Sequence, residues 1–239
     1  MKLTSVAGAG VTALALGLAL VGCGSDSSTE STSTEATSTE ATSSAEETSE
    51  SPSPAAESST PSVPAGPNET IQDYIAANGI QEQAVARDQP GVPVVNLPVP
   101  PGWEARDNIP EAPFGAIVFP GTQVPDNPPR VLALMSKLTG DVDPDAILEY
   151  APGELENLPG WQPMNQGSRN QLSGFDAFQI AGAYEIDGRE GMIAQKTVVI
   201  PAADGVYVLQ LNAYASQQET EVLEAATQFI DEQTTITAG

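Results

Sequence analysis

Phe178-Gln179-Ile180-Ala181-Gly182-Ala183-Tyr184-Glu185-Ile186-Asp187-Gly188 is the stretch that decides the fold. Phe178, Ile180, Gly182, Tyr184 and Ile186 fall on one side of an extended chain, and Ala177, Gln179, Ala181 and Ala183 on the other. That period of two predicts a strand, and Asp187-Gly188 suits the tight turn of a hairpin. A second strand runs from Met192 to Ile200, and Ala203-Asp204-Gly205 turns the chain again. The third, Val206 to Ala215, sets Tyr207, Leu209, Leu211 and Ala213 against Val208, Gln210, Asn212 and Tyr214. Strands joined by hairpins are antiparallel. Both faces of this meander are mostly apolar, so cover is expected on both sides.

Outward from the meander the pattern changes period. After it, Val222, Leu223, Ala226, Phe229 and Ile230 share one side of a helix over about Glu219 to Glu232. Before it, Asp143-Pro144-Asp145 reads as N-cap, first helical residue and a carboxylate on the positive end of the helix dipole. The helix that follows carries Ile147, Leu148 and Ala151, breaks at Pro152-Gly153 and resumes briefly with Leu155 and Leu158. A calcium loop starting at Asp141 fails, because its sixth and twelfth positions hold Ala146 and Pro152. Further upstream, Arg130 to Leu138 and Gly115 to Phe119 read as strands, and Val94 to Trp103 as a short strand running into a Pro-Pro-Gly turn. Asn68 is expected to cap a first helix bearing Ile71, Tyr74 and Ile75, with Gly79 in the left-handed position after it. Helices on an antiparallel sheet make an α+β sandwich.

The chain before residue 68 has another chemistry. Leu3 to Gly22 is uncharged, and Leu20-Val21-Gly22-Cys23 holds the sole cysteine. This is the layout of a secretory signal ending in a lipobox, with residues 1–22 removed and Cys23 lipidated on its sulfur and its new amino terminus. Two or more acyl chains hold a protein stably on a bilayer. Residues 23–67 repeat a Ser-Thr-Glu-Ala-Thr theme with Val63 as the one branched apolar residue, so they are expected to form a disordered tether. Residues 68–239 form the globular domain.

Composition excludes several functions. Past Cys23 the net charge is near −25, and the domain alone sets 24 acids against seven bases. A nucleic-acid partner would be repelled. There is no histidine, and the lipobox uses the cysteine, so Ser-His-Asp and Cys-His sites cannot form and no metal set or cofactor motif stands out. Paired carboxylates remain chemically available.

Thr70-Ile71-Gln72-Asp73-Tyr74-Ile75, Leu97-Pro98-Val99-Pro100-Pro101-Gly102-Trp103, and Tyr150-Ala151-Pro152-Gly153-Glu154-Leu155-Glu156-Asn157-Leu158-Pro159-Gly160 occur in that order. With Gln195-Lys196-Thr197-Val198-Val199 and the last helix, they resemble the LpqN/LpqT family of mycobacterial lipoproteins over about residues 68–237. The resemblance implies a Mog1/PsbP-like sandwich and an accessory role in mycolate glycolipid transport in the envelope. It carries no catalytic motif, so no site residue is transferred.

The expected function is therefore a non-catalytic module, lipid-anchored on the extracytoplasmic side of the cell membrane. Its partners would be an envelope lipid or glycolipid, or a mycolate transporter complex. The alternatives are a protein–protein scaffold and a carboxylate-dependent hydrolase. The expected pocket has Phe178, Ile180, Tyr184 and Leu209 as walls, with Gln210 or Asn212 as hydrogen-bonding groups. Ala177, Ala181 and Ala183 either leave room for an acyl chain or let a helix pack closely, and covered sheets favour the second. Trp103 and Trp161 are read as core or rim residues ahead of sugar platforms.

Overall fold

The computed structural model describes residues 66–239, Asn108 and Asp187 apart. The signal segment, Cys23 and the tether up to residue 65 lie outside the described residues. The three strands of the meander are β8 (Phe175–Ile186), β9 (Arg189–Ala202) and β10 (Gly205–Ala215). Ile186 pairs with Arg189 and Ala202 with Gly205, so two-residue turns join them. β5 (Arg130–Thr139) lies beside β10, antiparallel, and not beside β8, the meander strand nearest to it in sequence. β4 (Gly115–Val118) and β3 (Glu104–Arg106) extend the sheet beyond β5, β1 (Gln81–Val85) pairs with the far half of β5, and β6 (Gln162–Pro163) and β7 (Ser168–Leu172) flank β8. The result is a nine-stranded antiparallel sheet, ordered β3-β4-β5-β10-β9-β8-β6 along its main path. A separate two-stranded sheet joins β2 (Val94–Asn96) to β11 (Thr235–Thr237).

Each face of the sheet has its own cover. On the first face lie α4 (Thr220–Gln233), β2 and β11: Leu223, Ala226, Ile230, Val95 and Ile236 share one core with Tyr207, Leu209, Leu211, Val198 and Met135. On the second lie α1 (Ile71–Ala77), α2 (Pro144–Tyr150) and α3 (Gly153–Glu156). Ile75, Ile147 and Leu148 pack there on Val199, Val208 and Leu138, and Leu155 packs on Ile180 and Ile193. The fold is thus an α+β sandwich, an antiparallel sheet flanked by helices.

Several local expectations are corrected. The first helix is capped by Thr70, not Asn68: Thr70 Oγ1 accepts from Asp73 N while the Asp73 carboxylate accepts from Thr70 N, a reciprocal box that Asn68 cannot form. Asn68 instead donates to Asn157 Oδ1 at 3.1 Å, tying the start of the domain to the end of α3. β1, β3, β6, β7 and β11 were not expected; all have five residues or fewer and are largely exposed, so they carry little hydrophobic period. Gly79 sits at φ +62° with the buried Ile80 after it, as read, and Asp143 caps α2 with Pro144 in the first turn.

Candidate functional site

Register places the side chains in rows across the central strands. On the first face, Ala181 of β8 pairs with Ala194 of β9, Ala194 with Ala213 of β10, and Ala213 with Val131 of β5. The adjoining row on one side is Gln179, Lys196, Leu211 and Ala133, and the next is Ala177, Val198, Leu209 and Met135. Three alanines in line leave the sheet low where α4 passes over it. The consequence is a cavity of about 510 Å³ between α4 and the sheet, floored by Ala181, Ala194, Ala213 and Val131 and walled by Met192, Leu211, Leu223 and Ile230. Its polar lining includes Asn165, Gln179 and Gln195, Thr220, Glu224, Thr227, Gln228 and Glu232 on α4, and the Lys196–Asp231 ion pair. Lys196 Nζ lies 2.7 Å from Asp231 Oδ2, buried on the sheet side and partly open on the helix side, and so tethers α4 to β9 at the cavity wall.

The expected pocket is divided by the sheet. Phe178, Ile180 and Tyr184 lie on the second face, against α2 and α3. Leu209 lies on the first face, wholly buried in the core under α4 and the two-stranded sheet. The physical reason is the period of two: even residues of β8 and odd residues of β10 point to opposite sides once the two hairpin turns set the register. Gln210 and Asn212, the expected polar groups, share the second face with Phe178 and Ile180. Of the expected walls, Ile180 borders the cavity, while Phe178, Tyr184 and Leu209 line no part of it. Tyr184 lies across Gly191, where a Cβ would meet its ring at 2.7 Å, and Trp161 covers Gly182 in the same way at 2.5 Å. Trp161 and Trp103 are packing residues: Trp103 is buried against Phe119, with ring centroids 5.6 Å apart.

Of the small residues singled out in sequence, Ala181 lines the cavity, while Ala177 is buried in the solid core beside it. The cavity residues that sequence reasoning missed are Ala194, Ala213, Lys196 and the inner side of α4. A signal existed for the first two. Two-residue turns at 187–188 and 203–204 dictate that 181, 194 and 213 align. Nothing local places α4 above them.

The second face carries a polar centre. Glu154 Oε2 of α3 accepts from Gln195 Nε2 at 3.2 Å and from Gln210 Nε2 at 3.4 Å. Tyr214 lies next to this group, with the Arg130 guanidinium 4.8 Å from its ring centroid. Burial, reinforced by the Glu154 charge and opposed by Arg130, pushes the Tyr214 phenol up to about 12. Among the described residues no group of three or more His, Cys, Asp and Glu side chains converges as a metal site, and no helix is long and apolar enough to cross a membrane.

The fold and the cavity define an α+β sandwich domain with a half-open cavity of mixed apolar and polar lining under its last helix. The family described as Probable lipoprotein LpqN matches residues 67–237, and the chain belongs to that family. Lipoprotein LpqN of Mycobacterium tuberculosis is 51% identical over 173 residues, 72% of this chain and 76% of that protein. Lipoprotein LpqT of Mycobacterium leprae is 28% identical over 132 residues, 55% of this chain and 57% of that protein. The crystal structure of LpqN, described as involved in cell envelope biogenesis of Mycobacterium tuberculosis, aligns with a TM-score of 0.70 at 50% identity, over 72% of this chain and 99% of that one.

Proposed function

We propose that this lipoprotein is a non-catalytic binding module of the cell envelope, whose cavity under α4 holds the acyl part of an envelope lipid or glycolipid. Cys23 anchors it to the cell membrane on the extracytoplasmic side, and the tether lets the domain reach a mycolate transporter complex. The observation that carries the reading is the cavity itself. Its volume of about 510 Å³ falls within the roughly 300–1,000 Å³ of small-molecule sites, and a floor of alanine and valine with leucine, isoleucine and methionine beside it offers an apolar surface, while polar and charged side chains, most of them on α4, make up about half of the lining. The involvement of the related LpqN in cell envelope biogenesis supports the setting. A chain without histidine, its one cysteine taken by the anchor, has few routes to covalent or acid–base chemistry.

Native mass spectrometry of the protein exposed to an envelope lipid extract tests this. A bound lipid is expected on the wild type, and Ala194→Leu, which fills the cavity floor, should lose it while keeping the wild-type melting temperature. Undiminished loading of that variant would place the lipid elsewhere. Steady hydrolysis of a bound ester would replace the module with an enzyme.

A further inference from the structure

The charges around the cavity under α4 are unevenly divided. Among the described residues, Lys196 is the one basic side chain that lines it. Lys196 is buried on β9, and its Nζ donates to Asp231 Oδ2 at 2.7 Å. The carboxylates are more numerous. Glu224, Asp231 and Glu232 line the cavity from α4, and all three are exposed, so they stand at its mouth. Among the described residues no Lys or Arg pairs with Glu224 or Glu232. Gln228 Nε2 donates to Glu232 Oε1 at 2.9 Å, which steadies that carboxylate without neutralising it.

The helix gains nothing from this arrangement. Asp231 and Glu232 fall in the last turn of α4, which carries no basic residue. The C-terminal end of a helix is its negative end, so carboxylates are disfavoured there. Lys196 offsets Asp231 alone. Glu224 lies about two turns before Glu232, about 12 Å along the axis. A head group between them is within about 6 Å of one or the other along that axis, inside the screening length of about 8 Å at physiological salt.

The mouth therefore sorts acyl ligands by charge. A chain laid on the floor of Ala181, Ala194 and Ala213 leaves its head group at the mouth. A carboxylate, sulfate or phosphate there meets like charge from Glu224 and Glu232. It also finds Lys196 taken, and reaching that ammonium would leave Asp231 unpaired at the negative end of the helix. An uncharged head escapes the repulsion, and an ammonium head gains from both free carboxylates.

We propose that Glu224 and Glu232 form a specificity filter at the mouth of the cavity. It turns away acyl ligands with anionic head groups and favours cationic over uncharged ones, and Asp231 completes it by withholding Lys196. The inference rests on the reading of the cavity as an acyl site and adds a rule of rejection to it. An apolar floor accepts any chain, so discrimination has to come from a repulsive element at the head group.

The test uses three probes with the same ten-carbon chain: decylamine, decanol and decanoate. Near neutral pH the first is an ammonium and the last a carboxylate. Each is titrated, below its micelle-forming concentration, into the full chain with its Ala, Ile, Leu and Met methyl groups labelled for NMR. All three should shift the methyls of Ala194, Ala213, Leu223 and Ile230. Decylamine should bind about tenfold more tightly than decanoate, with decanol between them. Glu224→Gln combined with Glu232→Gln should bring that ratio within about twofold, and so should about 0.5 M sodium chloride. Glu221→Gln, on the same helix but outside the cavity lining, should leave the ratio unchanged. A loss of preference in Glu221→Gln as large as in the double variant would assign it to the charge of the whole domain and overturn the filter. Equal affinity for the three probes at the cavity methyls overturns the filter and leaves the acyl site standing. Tightest binding of decanoate overturns it as well, since Lys196 would then exchange Asp231 for the ligand. Silence of the cavity methyls with every probe overturns the acyl site, and the filter with it.

Discussion

The two faces of the central sheet are built from the same four strands and solve opposite problems. On the first, apolar side chains from α4, β2 and β11 meet largely apolar rows, and a row of alanines leaves a half-open cavity beside Gln179 and Lys196. On the second, three short helices cap only the ends of the rows with apolar contacts, and the middle is filled by Gln195, Thr197, Gln210 and Asn212. One face is over-supplied with small groups and the other with polar ones. Neither arrangement is the best packing for stability, since a void forfeits dispersion contacts and an unpartnered oxygen forfeits its hydration. Departures of this kind from the best packing are where functional sites are commonly found.

The comparison is most sharply tested on the first face. Leu209 belongs to the solid core two rows from the cavity floor and is wholly buried. Leu209→Ala should therefore cost about 3–5 kcal/mol in urea unfolding. A loss below about 1 kcal/mol would mean that the whole face is loosely packed and that the alanine row is nothing special.

On the second face, Tyr214 gives a pH signature. Its phenol, with an ordinary value of 10.0, is pushed up to about 12 in the folded protein. A raised value means that the unfolded chain loses this proton first. The stabilisation is complete below pH 10 and is lost as pH rises from there toward 12, worth about 2–3 kcal/mol over that window. Tyr214→Phe should remove that part of the alkaline destabilisation. Identical stability curves for the two proteins between pH 10 and 12 would show that the polar centre is open to water.

The helices of the second face depend on local geometry as well as on contacts. Gly79 ends α1 at φ +62°, and a Cβ there would touch nothing within 4 Å, so a substitution acts through the backbone alone. Gly79→Val should cost about 1–2 kcal/mol. The smallest change is expected at Thr197. Replacing its unpartnered hydroxyl by a methyl in Thr197→Val should leave the unliganded protein as stable as wild type or stabilise it by up to about 1 kcal/mol. Destabilisation beyond about 2 kcal/mol would reveal a hydrogen bond that keeps the polar row for structural reasons.

Much of this was legible in the residues. The alternation in 177–186 and 206–215, the turns at 187–188 and 203–205, the Asp143-Pro144 helix start and the stripe of Leu223, Ala226 and Ile230 are all local signals, and the structure follows them. They determined the antiparallel meander, the helices and hence the α+β class, because side-chain period and turn chemistry act within a few residues. The division of Phe178, Ile180 and Tyr184 from Leu209 was also implicit, since two-residue turns set the register to which parity must answer. What only the tertiary structure decided is where non-local pieces meet. β5 enters next to β10 from far along the chain, β2 finds β11 across 139 residues of sequence in the Asn96–Thr235 pairing, and α4 settles over the alanine row to wall the cavity. Such contacts have no local signature: they arise from the total apolar area each face can bury, a sum over the whole domain that no single stretch of sequence contains.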